Sequence, residues 1–387
     1  MGSVRDVRME SPKDGGPFVS TVWLVCLCIS LIIYLSAGLI FLMGQFMIRR
    51  DRSGRRPRVS VIVAARNEEA NIAACLDSLV VQSYDDYEII VVDDRSTDKT
   101  PELIKSQSTK FPHLKLVTIQ ETPAGWSPKK YALDRAIRAS EGELLLFTDA
   151  DCVVGRYWIE TMISFFDDKT GLVIGFSKVD ATGFFERFQQ FDFLAMMTAA
   201  VGITNIGYPF AASGQNIGYR RVAFEAVGGF ESVKTRISGD DVLLMHLIRG
   251  RTPWRVRFAQ DPASYVVTRP VPGLFAFLQQ RARWASNGLI MLKLSPLFFL
   301  YLSSVFVVQL CLTAGLWMSL WELSWIWAVG FTWMTKAVVD FAITYNGAKL
   351  FLVPYQTGMF VVWELLQIPY MLISGLLGMA GLFRWKR

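Results

Sequence analysis

Apolar and polar residues alternate along this chain in three different textures. Residues 17–48 contain no charged side chain, and that length crosses a bilayer with some tilt. After Ser295 the sequence is again nearly all apolar. Between these stretches, short apolar runs alternate with amphipathic ones. That pattern predicts strands at 59–65, 87–92 and 114–119, and helices at 71–82, 100–108 and 128–139. Ile72, Cys75, Leu76 and Leu79 mark one face of the first helix. In residues 143–151, Glu143 is followed by four apolar residues in a row, as in a strand buried on both faces. Strand–helix alternation predicts an α/β unit with a mostly parallel sheet covered on both faces.

Each predicted strand ends in polar residues: Arg66-Asn67-Glu68-Glu69, then Asp93-Asp94-Arg95-Ser96, then Asp149-Ala150-Asp151. Parallel strands bring such tips to one sheet edge, where open α/β sheets bind ligands. Carboxylates crowd together only when something positive lies between them. Asp149 and Asp151, two apart, suit Mg²⁺ or Mn²⁺ carrying a diphosphate; the bland alternative is a solvated turn. No Gly-x-Gly-x-x-Gly or Walker loop follows the first strand, which argues against a dinucleotide fold or a P-loop ATPase.

Composition sharpens the membrane reading. Hydrophobic residues make up 52% of the 387, charged ones only 19%, and mean hydropathy is +0.32. Much of the net charge of +6 sits in the linker 49–58, in Arg49, Arg50, Arg52, Arg55, Arg56 and Arg58. Lying directly after an apolar span, this cluster faces anionic lipid rather than nucleic acid. Because the arginines follow the span, a cleaved signal peptide is disfavoured, and the positive-inside rule puts the next domain in the cytoplasm. Residues 1–16 form a polar tail. Five scattered cysteines form no disulfide framework, and two histidines leave little scope for a histidine metal site. Cys152, beside the Asp pair, reads as a packing residue rather than a nucleophile.

The series Ala64-Ala65-Arg66-Asn67-Glu68, Val92-Asp93-Asp94 and Asp149-Ala150-Asp151 resembles the nucleotide-sugar-binding half of family 2 glycosyltransferases. The resemblance covers about 58–290, and its motifs are similar to those of ceramide glucosyltransferase-like and cellulose or hyaluronan synthase-like enzymes. It implies an inverting enzyme with one Rossmann-like α/β domain of the GT-A type. It implies that Ala64, Ala65, Arg66, Glu68 and Asp94 lie around the base and ribose, and that Asp151 with Asp149 meets the metal and diphosphate. Lys129 resembles the lysine of the family's Lys-x-x-Ala-Leu, which faces the nucleotide. The glycine usual before it is Pro128 here, and a solvated first-turn lysine is the alternative. Residues 212–219 resemble the family's acceptor-side segment, followed by the Gly228-Gly229-Phe230 turn. Asp240-Asp241 matches the family's acidic pair, which makes Asp241 the general base and Asp240 a cap or metal-side neighbour; a plain helix cap is the bland reading. Gln280, Arg283 and Trp284 match Gln-x-x-Arg-Trp, and on a helix they share a face. The guanidinium can grip phosphate, and the indole can stack on a sugar or line an acceptor pocket.

The remaining stretches carry structure more than chemistry. Residues 180–208, rich in Phe and Met with Glu186, Arg187 and Asp192, predict either an amphipathic surface helix or a buried core helix. Residues 269–294 read as an amphipathic interfacial helix. Spans are expected at 296–320 and 321–345, joined by a tight turn around Glu322, with one span or a re-entrant hairpin at 352–383. Lys336 and Asp340 either pair within the membrane or lie near the cytoplasmic end, which the topology favours. Four crossings put the basic tail outside, against its charge. These features predict an integral protein of a bacterial-type inner or plasma membrane, with a cytoplasmic domain between transmembrane helices. It would move sugar from a nucleotide sugar, UDP-linked by analogy, to a lipid acceptor with Mg²⁺ or Mn²⁺. The alternatives are a processive polysaccharide synthase adding to a growing glycan and a non-catalytic nucleotide-binding scaffold. The sugar, the acceptor, the preferred metal and the oligomeric state stay open.

Overall fold

The computed structural model describes residues 16–47 and 51–384. Most of the polar N-terminal tail, Arg49 and Arg50 of the basic linker, and the last three residues of the basic tail lie outside the described residues.

The chain begins with helix α1 (Gly16–Phe46). The α/β unit follows as β1 (Val59–Ala65), α2 (Ile72–Leu79), β2 (Tyr87–Asp94), α3 (Thr100–Ser108), β3 (Leu114–Ile119), α4 (Pro128–Arg138) and β4 (Leu144–Asp149). Its second half holds β5 (Cys152–Val154), α5 (Trp158–Ser164), β6 (Thr170–Gly175), β7 (Ser177–Val179), α6 (Phe184–Asn205), β8 (Ile217–Arg220), α7 (Arg221–Ala226), α8 (Val242–Arg251), β9 (Arg255–Ala259) and β10 (Val266–Thr268). Helices α9 (Gly273–Ala285), α10 (Met291–Leu294), α11 (Pro296–Met318), α12 (Trp325–Leu350) and α13 (Thr357–Met379) complete it.

Among the described residues, seven strands form one sheet in the order β3-β2-β1-β4-β8-β6-β9. All run parallel except β8, which is antiparallel to both β4 and β6. The expected parallel half is therefore present, and a single reversed strand makes the whole sheet mixed. In β1, Val59, Val61 and Val63 enter one core and Ile62 the other, the period of two that a strand buried on both faces requires. Parallel register sets Ala64 opposite Asp149 and Ala65 opposite Asp93, so the polar tips do share an edge.

Two expectations need correction. The strand predicted over 143–151 ends at Asp149; Asp151 lies in the turn before β5, which pairs antiparallel with β10. The stretch 269–294 is not one helix. It breaks after α9 at a turn closed by Gly288 N–H on the Ala285 carbonyl, and α10 resumes at Met291.

Among the described residues, four helices are long and apolar enough to cross a membrane: Thr21–Phe46 within α1, and α11, α12 and α13. The second of the C-terminal spans starts at Trp325 rather than 321, because Trp321 and Glu322 belong to the turn. Lys336 and Asp340 do pair, at 2.7 Å, in mid-helix rather than at an end. Lys336 also meets Glu364 at 2.7 Å, and Tyr34 of α1 donates to Asp340 at 2.7 Å, so one buried polar cluster ties three helices. α13 is a single helix running through Pro369. Just before it, Phe351 stacks on Phe176 of the α/β unit and Tyr355 packs on Phe191 of α6. At its other end Gly378 lies against Ala282 and Ala285 of α9, and the Arg384 amide donates to Gln279 at 2.5 Å. Both ends of α13 thus rest on the α/β unit and its helix α9. The cluster of Trp23, Leu27, Cys311 and Trp325 at the opposite end of the bundle contains no α13 residue.

Of the two readings of residues 180–208, the buried one holds over most of α6. It crosses α1 where Gly44 meets Gly202. A Cβ on Gly202 would stand 2.1 Å from the Phe41 carbonyl oxygen, and one on Gly44 1.9 Å from the Gly202 oxygen. Small residues let helix backbones approach this closely. Gly202→Val is expected to force the two helices apart and to destabilise the purified protein by about 1–3 kcal/mol, the usual cost of overpacking. Thermal unfolding in detergent checks this, and an unchanged midpoint would show that the crossing is loose.

Candidate active site

The site is built on the carboxyl ends of β1, β2 and β4. The β1 tip continues into Arg66, whose Nη1 lies 3.7 Å from Asp94 at the end of β2. Asp94 is buried and also accepts from Arg95 Nε at 2.9 Å. Asn67 and Arg95 adopt positive φ, 53° and 59°, which turns both loops sharply at the sheet edge. Glu68 accepts from Asn71 at 2.8 Å, while its own amide donates to Thr100 at the start of α3. Ala64, Ala65, Arg66, Glu68 and Asp94 therefore do gather at one end of the edge. Arg66 Nε is buried there with no hydrogen-bond partner among the described residues.

Lys129 holds the centre. It sits in the first turn of α4, which Pro128 starts, and its ammonium lies 2.9 Å from Asp149 Oδ1 and 3.2 Å from Asp240 Oδ2. Burial alone would lower its pKa, but the charges of Asp149 and Asp240 outweigh burial and hold it raised. The solvated-lysine alternative is thereby overturned. Burial would likewise raise Asp240, yet Lys129 and Lys130 keep it low. Asp241 goes the other way: burial first, then the charge of Asp240, push it up to about 6. Both oxygens of Asp241 are oriented, Oδ1 by the Val242 amide at 2.6 Å and Oδ2 by the Gly214 amide at 2.8 Å. Asp241 thus caps α8, as the bland reading had it, and also faces the site. Gly214 lies among these groups, since a Cβ there would be 3.3 Å from Asp240 and 3.6 Å from Lys129.

Helix α9 closes the far side. Arg283 donates to Ser238, just before the acidic pair, at 3.2 Å. Burial lowers its pKa, with Asp240, Asp241 and Asp149 opposing. Gln280 and Trp284 are brought together by Arg281, which donates to Gln280 Oε1 at 2.6 Å and stacks 4.3 Å over the indole. The Gln280 amide oxygen is therefore engaged within the helix.

Sequence reasoning passed over two supports. Lys130 is fully buried and donates to the carbonyls of Arg236 at 2.5 Å and Ser238 at 2.9 Å, fastening the loop that carries Asp240. Burial pushes it down to about 8. Nothing in its sequence position separates it from Lys129. Asp192 of α6, seen only as a charge among phenylalanines, accepts from Arg281 Nε at 2.9 Å, from Trp363 at 3.0 Å and from the Tyr370 hydroxyl. One carboxylate so locks α9 to α13.

Asp149 and Asp151 present hard carboxylate oxygens, the donor chemistry of Mg²⁺ or Mn²⁺. Among the described residues no group of three or more His, Cys, Asp or Glu stands together as a closed metal cage. The Cys152 thiol is buried, and burial followed by Asp151 drives its pKa well up, which bears out the packing reading.

Residues 60–228 match the family model for glycosyl transferase family 2. Glycosyltransferase AglE of Haloferax volcanii is 30% identical over 222 residues, covering 55% of this chain and 68% of AglE. The beta-monoglucosyldiacylglycerol synthase of Synechocystis sp. is 28% identical over 245 residues, covering 60% of this chain and 48% of that protein. The chain spans about half the length of such curated relatives. The mannosyltransferase PcManGT of Pyrobaculum calidifontis, solved with GDP-Man and Mn²⁺, superposes with a TM-score of 0.62 at 21% identity, over 92% of this chain and 98% of that one. The two share a fold across the sheet and the flanking apolar helices.

Lys129→Met leaves Asp149, Asp240 and Asp241 facing one another without their shared cation. The folded-state pKa values of Asp240 and Asp241 then rise above the unfolded ones, so the variant loses stability as pH rises. The expected cost is on the order of 2 kcal/mol at pH 8 and smaller at pH 5, where Asp241 is largely protonated. Thermal unfolding at the two pH values measures it, and equal cost at both would remove Lys129 from this role.

Proposed function

The chain belongs to glycosyl transferase family 2, and on that premise we propose that it transfers a sugar from a UDP-linked donor to a membrane lipid, with inversion at the anomeric carbon. The observation that carries this reading is the Asp149–Lys129–Asp240 bridge, in which one ammonium joins the β4 tip to the loop that presents Asp241. Ala64, Ala65, Arg66, Glu68 and Asp94 bind the base and ribose, with Arg66 Nε as the waiting donor. Lys129 and Arg283 face the diphosphate and offset its charge as the bond to the sugar breaks. Asp241 takes the proton of the attacking hydroxyl; its two backbone hydrogen bonds fix the carboxylate and leave lone pairs free for that contact. Asp240 keeps Lys129 in place. Trp284, braced by Arg281, and Gln280 line the acceptor side. A Mg²⁺ or Mn²⁺ ion held by Asp151 and Asp149 would supply Lewis-acid stabilisation of the departing diphosphate.

Support for a lipid acceptor comes from the joining of α9 to the apolar helix α13 and from the name of the Synechocystis relative. In this reading the α/β unit is cytoplasmic, and α1, α11 and α12 cross the membrane. α13, with both ends on the catalytic unit, lies obliquely without reaching the other side. Removing that crossing brings the basic C-terminal tail to the cytoplasm, in accord with its charge.

Membranes carrying the protein, given labelled UDP-glucose, UDP-galactose, UDP-N-acetylglucosamine or GDP-mannose with Mg²⁺ or Mn²⁺, test the proposal. Label is expected in the solvent-soluble lipid fraction, and Asp241→Asn should cut transfer about 10²–10⁴-fold. Since the base must be ionised, transfer should fall as pH drops through about 6. Label in insoluble polymer would favour the polysaccharide synthase. Nucleotide binding without any transfer would favour the scaffold.

A further inference from the structure

Asp149 stands between two cations. Its Oδ1 takes the Lys129 ammonium at 2.9 Å, and its carboxylate, with that of Asp151, is the one whose chemistry suits Mg²⁺ or Mn²⁺. These two partners compete. An ion about 2.1 Å from either oxygen of Asp149 would stand within about 7 Å of the ammonium, inside the screening length of about 8 Å. The side chains of Lys129 and Asp149 are only 23% and 31% exposed, so water weakens the repulsion little. A carboxylate already neutralised by an ammonium therefore holds a second cation poorly.

Lys129 has a second hold. Its ammonium also lies 3.2 Å from Asp240 Oδ2, on the loop before α8. That contact involves neither Asp149 nor Asp151, so Lys129 can give up Asp149 and stay in the site. The lysine sits in the first turn of α4, at the positive end of an 11-residue helix. A diphosphate carries more charge than one carboxylate and offers several oxygens to the ammonium. Lys129 therefore exchanges Asp149 for a diphosphate more readily than it gives up both carboxylates.

We propose that Lys129 makes the binding of a divalent ion depend on the nucleotide. Without a diphosphate in reach, its ammonium bridges Asp149 and Asp240 and keeps divalent ions off the Asp149–Asp151 pair. A nucleotide diphosphate draws the ammonium from Asp149 while Asp240 retains it, and Asp149 is released to the ion. Lys129 is in this sense a positioning residue that acts through Asp149. By linkage, nucleotide and ion each raise the affinity for the other. The inference rests on the donor site proposed above, but its test involves no sugar transfer, so the two can fail separately.

The test is Mn²⁺ binding to the purified full-length chain in detergent without nucleotide, followed by loss of the free ion's electron paramagnetic resonance signal. Lys129→Met and Lys129→Gln should each bind Mn²⁺ at least tenfold more tightly than wild type. The glutamine amide can hydrogen-bond to both carboxylates, so that variant carries less risk to folding. Lys129→Arg keeps the cation and should bind no more tightly than wild type. Adding Asp151→Ala to Lys129→Met should abolish the gain. Arg283→Gln removes another positive charge felt by the same carboxylates and should change the affinity less than threefold. In wild type, UDP should bind at least tenfold more tightly with Mn²⁺ than with EDTA. Mn²⁺ binding no tighter in both neutral Lys129 variants overturns the proposal, as does a gain that survives loss of Asp151. An equal gain in Arg283→Gln would reduce the effect to net charge and overturns it too. UDP binding that is the same with Mn²⁺ and with EDTA overturns it in favour of a lysine that serves the diphosphate alone.

Discussion

Like charges at the tips of β1, β2 and β4 cannot lie side by side in a half-buried edge unless cations are interleaved with them, and the fold around the site follows from that requirement. Asp94 is held between Arg66 and Arg95, and Asp149 and Asp240 share Lys129. Lys129 reaches both of its partners from the first turn of α4, with the β4 tip on one side and the loop before α8 on the other. Lys130 fixes that loop through its carbonyls, and Arg236 ties the loop to the end of α9, donating to the Ser286 carbonyl at 2.6 Å. Asp241 is left as the carboxylate without a direct ammonium partner, so its affinity for a proton rises while that of Asp240 falls. A pair of adjacent, identical side chains is thus divided into one that stays charged and one that can take a proton.

The same principle operates where the α/β unit meets the apolar helices. Buried carboxylates cost too much to leave single, so each becomes a junction. Asp192 gathers Arg281, Trp363 and Tyr370 and joins α6, α9 and α13. Asp340 and Glu364 share Lys336, and Asp340 takes Tyr34 as well, which joins α1, α12 and α13. The Gly44–Gly202 crossing then brings α1 within backbone contact of α6. Helix α9, which carries Gln280, Arg283 and Trp284, is braced on one side by the catalytic loop and on the other by α13. Two side-chain contacts, Tyr370–Asp192 and Asp192–Arg281, thus connect α13 to α9.

What could be read in advance divides along the range of the interactions involved. The first half of the sheet was legible because strands buried on both faces and helices buried on one have different periods, and β1, α3 and β3 fall at the predicted residues. The convergence of Asp94 and Asp149 was legible too, since parallel register follows from strand–helix alternation. The reversed strand β8 was not: its four residues carry no signal of direction, which is set by their partners β4 and β6. The break after Ala285 was missed because amphipathic character continues across the turn. Lys130 and Asp192 were missed as supports for a related reason. Their partners lie 108 and 89 residues away, and neither local pattern nor spacing distinguishes a buried, fully bonded charge from a solvated one.

The position of α13 shows how tertiary contacts decide what hydropathy leaves open. By length and composition it qualifies as a span as well as α11 does. Counted as a crossing, it sends a basic tail to the side its charge disfavours. Its contacts with protein are extensive: Gln367 and Met371 meet Gln309 midway along α11, and beyond Pro369 the helix packs onto α9, away from the Trp23–Trp325 cluster. Apolarity alone states that a surface is shielded from water, and either lipid or a neighbouring helix can do the shielding. Small residues at Gly375 and Gly378, packed on Phe306 and on the α9 backbone, show that here a protein surface does part of it.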